Sequence, residues 1–148
     1  MKIAYHFSRI VFGAWFLYSG VAHFLIPGWQ PMGSHPAAID FTQALIDSGL
    51  FTWIKLIEVV LGATMLANRF MPLTIVAMTP INIVICHWNF VLDPGVVEYT
   101  FGILTILFNA VLAWMWRGYF WQLFTFKGQA DYSLSPGGNL RTQSETVH

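Results

Sequence analysis

The chain has 148 residues, of which 56% are hydrophobic, 17% aromatic and only 9% charged, and seven Lys and Arg balance seven Asp and Glu. Soluble domains carry about a quarter charged residues, and helices in water need polar faces, so a soluble helical domain is disfavoured. The even charge balance gives no basic surface for nucleic acid and no preference for acidic substrates. The single cysteine, Cys86, excludes an internal disulfide, a CxxC pair and a cysteine-rich zinc or iron–sulfur site.

Residues 1–8 read as a short leader bearing Lys2. A first apolar block covers about residues 9–26. It is rich in large aromatics and lacks a small-x-small cleavage site, so it reads as a retained span rather than a signal peptide. Pro27-Gly28 stops it, with Trp29 at interfacial depth. The longest connection, residues 27–50, has no Lys or Arg but carries Asp40 and Asp47. Within it Pro36 suits the first turn of a helix, with Ser34 or His35 near the cap. Ala38, Phe41, Ala44 and Leu45 suggest a short amphipathic helix ending before Gly49. It would lie along the membrane surface or cover a cavity, and an ordinary surface loop is the alternative.

The second block, about residues 50–67, is short and contains Lys55 and Glu58. Asn68-Arg69-Phe70-Met71-Pro72 makes a tight basic turn. The third block, about residues 73–92, holds Pro80, expected to kink the helix and free a carbonyl near Val76. Asp93-Pro94-Gly95 is a turn. The fourth block, about residues 96–116, is followed by Arg117. Residues 119–126 are aromatic and suit an interface. Residues 128–148 read as a polar, flexible cytoplasmic tail.

The expected fold is therefore all-α: a polytopic membrane protein whose residues 1–127 form a four-transmembrane-helix bundle. Lys2, Arg9, Arg69, Arg117 and Lys127 fall beside one set of span ends. Asp40, Asp47, Asp93 and Glu98 fall beside the other. The positive-inside rule then puts both termini in the cytoplasm.

Polar groups within apolar blocks are costly and mark helix contacts, cavities or sites. They are His23, Lys55, Glu58, Asn82, His87 and Asn109. At a rise of about 1.5 Å per residue, His23, Lys55, Glu58 and His87 lie roughly 6–12 Å below the outer edge of the bilayer. Asn82 and Asn109 lie near mid-depth. Lys55 and Glu58, spaced i,i+3, can reach each other. Glu58 and His87 are the candidate catalytic or proton-exchanging pair. Lys55, His23, Asn82, Trp53 and Trp88 are the candidate pocket residues. The competing reading is a purely structural network that fixes helix packing. Two His and one Glu could also hold a metal, although no compact ligand motif such as HExxH is present, and no metal is assigned. Asn82 shares a stripe with Thr79, Cys86 and Asn89, while His87 lies toward Pro80, Ile83 and Val84. Asn82 reads first as an interhelix hydrogen-bonding residue; Asn109 and Cys86 read as structural. Trp15, Phe16, Trp53 and Trp88 could line a ring-binding cleft or face lipid. Gly13, Gly20 and Gly62 permit close helix contact.

Residues 55–90, KLIEVVLGATMLANRFMPLTIVAMTPINIVICHWNF, resemble the DoxX family. The resembling features are the Lys55-x-x-Glu58 pair, Gly62, the Pro72 turn, Pro80, Asn82 and the late His87. Residues 9–25 also fit that family's opening, with Gly13, Phe16, Ser19 and Gly20 in matching roles; His23 stands where many members have a basic residue. The resemblance implies a four-helix protein of the bacterial inner membrane with Lys55, Glu58, Asn82 and His87 as site residues. It also implies an accessory subunit of a membrane redox complex, with a quinone as the associated cofactor. The long first outer loop and the polar tail depart from the thiosulfate:quinone oxidoreductase subunit in that family. A small-molecule or ion carrier and a non-catalytic assembly protein are the rival functions. The expected partners are membrane lipids and either another subunit or further copies of the chain, with no nucleic acid.

Overall fold

A computed structural model describes residues 1–124. The tail expected at 128–148, and Lys127, lie outside the described residues. Among those described, every regular element is helical and there is no strand.

Helix α1 spans Lys2–Leu25, so the segment read as a leader is in fact its first two turns. Their order has a cause. Tyr5 Oη donates to Asn68 Oδ1 at 2.5 Å, and Arg9 Nη1 donates to the carbonyls of Met65 and Leu66 at 2.9 and 2.5 Å. Those carbonyls belong to the last turn of α3, where the intrahelical ladder runs out, and Met65 O also accepts from the Asn68 N–H at 3.1 Å. Trp116 Nε1 donates to Tyr5 Oη at 3.3 Å and ties the end of α5 to the same point.

Helix α2 spans Pro36–Asp47, with Pro36 in its first turn and an extended His35 before it. The expected short amphipathic helix is therefore present, and the surface-loop alternative falls away. After Ser48 and Gly49 the chain bends by 86° into α3, Leu50–Leu66. Gly49 makes that bend with φ +75, a conformation natural to glycine. Helix α4, Met71–His87, passes through Pro80 without a break and continues as a π segment over Trp88–Leu92. Helix α5 spans Val96–Met115, and α6, Arg117–Phe120, ends in a 3-10 turn at Trp121–Leu123.

Helices α1 and α3 pack most intimately, because glycines let their backbones touch. A Cβ at Gly62 would sit 2.6 Å from the Leu17 nitrogen, and one at Gly20 would sit 2.7 Å from the Lys55 carbonyl oxygen. No side chain fits at either point. Helix α4 packs on both α3 and α5, and α5 returns to α1, which closes a ring of four helices. The two ends of this ring differ. At the end carrying the α3–α4 turn, Phe12, Phe16, Leu61, Met65, Met78 and Leu112 belong to a buried apolar core. At the other end, beneath α2, the bundle is hollow.

Two helical stretches, Met71–Leu92 and Val96–Met115, are long and apolar enough to cross a bilayer, and α2 with α3 would make a third if read as one broken span. Helix α3 alone has 17 residues, just short of the roughly 18 that suggest a span.

Candidate functional site

The hollow end encloses a cavity of about 670 Å³. Its walls are largely aromatic: Trp15 and Phe16 from α1, Phe41 from α2, Phe51 from α3, Trp88 from the π segment and Phe101 from α5. Lys55 and Glu58 open onto it, together with Ser19, Thr42 and Asn89.

The i,i+3 spacing on α3 brings Lys55 Nζ to 2.8 Å from Glu58 Oε2. Both residues are buried, at 7% and 3% exposure. A pair this deep is retained only where further contacts compensate for lost hydration. Two such contacts are present: Lys55 Nζ donates to Ser19 Oγ at 2.8 Å and lies 5.0 Å from the centroid of the Phe51 ring. The Gly20 and Gly62 contacts are what carry Ser19 within reach. Lys55 uses two of its three donors in these bonds and Glu58 accepts through one oxygen. The arrangement can therefore both donate to and accept from a polar group entering the cavity, with no net charge.

Helix α2 roofs the cavity with Phe41, Thr42 and Leu45. Three bonds hold it down. Asp93, 2% exposed, accepts through Oδ1 from the backbone N–H groups of Ser34 and His35, each at 2.9 Å. Trp88 Nε1 donates to Thr42 Oγ1 at 3.2 Å. Hydrogen bonds to a charged acceptor are worth about 1.5–3 kcal/mol. Asp93→Ala is accordingly expected to raise hydrogen exchange across residues 34–47 at least roughly tenfold, with α5 amides unchanged. Unaltered exchange in that stretch would show that something else fastens the roof.

The structure brings together only some of the residues singled out by sequence. Lys55, Glu58 and Trp88 share the cavity, as do Trp15 and Phe16. His87 does not: it is exposed and is not in the cavity wall, so the expected meeting of Glu58 with His87 is corrected. The reason is angular. Seven residues beyond Pro80, His87 falls about 20° past it on the side away from Ile81, Ile85 and Trp88. Trp53 is corrected likewise, since it is 65% exposed and points outward from α3. His23 lies near the mouth but outside the wall. Its Nδ1 pairs with Gln30 Nε2, its Nε2 is 3.4 Å from Thr52 Oγ1, and its ring meets Phe51 edge-on. Asn82, Cys86 and Asn109 line a separate groove between α4 and α5. A metal site of two His and one Glu is not assembled, and no cluster of three His, Cys, Asp or Glu side chains exists among the described residues.

Four polar contributors, Ser19, Thr42, Asn89 and Asp93, are not among the site residues that the sequence singles out, and nothing in the sequence marks Thr42. Ser19 was read only as a family position, Asn89 only as part of the Asn82 stripe, and Asp93 only as a turn residue. An Asp-Pro-Gly turn beside a loop without cations was the available signal for Asp93. Searches against protein-family models, curated proteins and solved structures find no match to this chain.

Proposed function

We propose that this chain is a four-span protein of the bacterial inner membrane, with both termini cytoplasmic, and an accessory subunit of a membrane redox complex. Its cavity binds an apolar, ring-bearing molecule with a polar head. The observation that carries this reading is the buried Lys55–Glu58 pair facing an aromatic-walled cavity.

Several features support the spans. Helix α1, with 24 residues, is about 36 Å long, and α3, with 17, is about 26 Å. Both are close to the hydrocarbon thickness of about 30 Å. The outward faces of the four helices carry Ile10, Ile57, Val60, Leu73, Ile83 and Leu107, all well exposed in the monomer. Hydrocarbon accommodates such a surface and water does not. Arg9, Arg69 and Arg117 lie at the core-filled end, and Asp40, Asp47, Asp93 and Glu98 at the hollow end, which supports a cytoplasmic location for the former.

The resemblance to the DoxX family supports the redox assignment and suggests a quinone. The residues fit one: flat aromatic walls suit a ring, and the Lys55 ammonium and the Glu58 carboxylate suit its carbonyl or hydroxyl oxygens. The quinone would supply the electron chemistry. Lys55 would orient the head group, and Glu58 would exchange a proton with it. With His87 outside the cavity, Glu58 is what remains of the proposed proton-exchanging pair.

Gentle purification, followed by solvent extraction of the bound small molecules, tests the reading. The expected result is a quinone or similar ring-bearing lipid near one per chain, with at least roughly tenfold weaker retention in Glu58→Gln, as for loss of a charge-assisted hydrogen bond. A ligand-free protein, or full retention in a folded Glu58→Gln variant, sinks it.

A further inference from the structure

The groove between α4 and α5 shares no lining residue with the cavity. It has a volume of about 400 Å³ and is lined by Thr79, Asn82, Cys86, Thr105, Ile106 and Asn109, among others. No charged side chain lines it. Thr79 and Thr105 are internally satisfied, since each hydroxyl donates at 2.9 Å to a carbonyl of its own helix, Ile75 and Phe101 respectively. Asn82 is not. It is 5% exposed, and neither its carboxamide nitrogen nor its oxygen has a partner. Asn109 is half-buried beside the same groove.

Asn82 lies eleven residues into α4, about 16 Å from its start. At that depth lipid offers only acyl chains, which neither donate nor accept. We propose that this groove is an interface between two copies of the chain, with carboxamides hydrogen-bonding across it. A carboxamide carries one donor group and one acceptor, so the surface complements itself about a two-fold axis. Apposing two such grooves, neither lined by a charged side chain, also brings no like charges together. Asn109, the more accessible, meets the second copy first, and Asn82 lies behind it. Exposed Ile83 and Ile106, at 63% and 50%, give the flanking apolar contact. Small and amide side chains are the ordinary means of helix association where the hydrophobic effect is absent.

The interface rests on the membrane reading above, so that reading is checked separately by alkaline extraction of membranes containing the full chain. In lipid vesicles, energy transfer between N-terminally labelled copies, measured as lipid is added, reads the dimer. Each of Asn82→Leu and Asn109→Leu is expected to weaken it about threefold, and the double variant about tenfold. Cys86, the single cysteine, lies in the groove. A short bis-maleimide should therefore join two copies in the wild type and none in Cys86→Ala. Chains that stay in extracted membranes yet remain monomeric at every density overturn the interface alone. So does a dimer indifferent to the double substitution in a variant of unchanged helix content. Chains released by alkali overturn the membrane reading instead.

Discussion

Lys55→Met is expected to destabilise the bundle by about 3–5 kcal/mol, because it leaves the Glu58 carboxylate buried without its cation. The cost arises from the unpaired charge rather than from lost attraction. The double variant Lys55→Met, Glu58→Leu should therefore regain most of the stability, since apolar residues of similar volume replace buried ion pairs at little cost. Denaturant unfolding in micelles measures both. The pairing argument fails if the single variant is as stable as the wild type, or if the double variant is worse than the single.

The second large effect lies at the α1–α3 contact. At Gly62 a methyl group would lie 2.6 Å from the Leu17 nitrogen and 2.9 Å from the Gly13 oxygen. Backbone atoms cannot step aside as a side-chain tip can. Gly62→Ala is expected to cost about 1–3 kcal/mol, in the range of overpacked cores, and Gly62→Leu more. Gly118→Ala is the control, since nothing lies within 4 Å of the added carbon there. The separation should also weaken the Ser19–Lys55 bond, so ligand retention should fall together with stability. Equal thermal midpoints for Gly62→Leu and Gly118→Ala would rule out the close contact.

Helix limits were largely legible in the sequence, because glycine, proline and charge punctuate an otherwise apolar chain. Leu50, Leu92 and Val96 stand where the apolar blocks place them, and Pro36 opens α2. The Lys55–Glu58 pair was legible because three residues of helix fix its geometry locally. What the sequence did not carry is rotation about each helix axis. Where outward-facing and core-facing sides are both apolar, as round α4, hydrophobic periodicity gives no heading. Position along the helix can be counted from the sequence, but the side to which His87 turns cannot. Trp53 and Trp88 are alike in type and depth, yet only tertiary packing turns one inward. Arg9 reaching 56 and 57 residues along the chain to Met65 and Leu66, and Asp93 reaching back 58 and 59 to His35 and Ser34, are contacts between segments that no local pattern reports.

Packing the bundle at one end and leaving it hollow at the other has a mechanical consequence. The four helices resemble staves bound by a single hoop, rigid where Phe12, Met65 and Leu112 meet and compliant where α2 rests across the rim. Fluctuations should grow along each helix away from the hoop, giving amides near Leu50 and Trp88 shorter lifetimes than those near Leu61 and Met78. An occupant would act as a second hoop, and its arrival would stiffen the far ends of four helices at once.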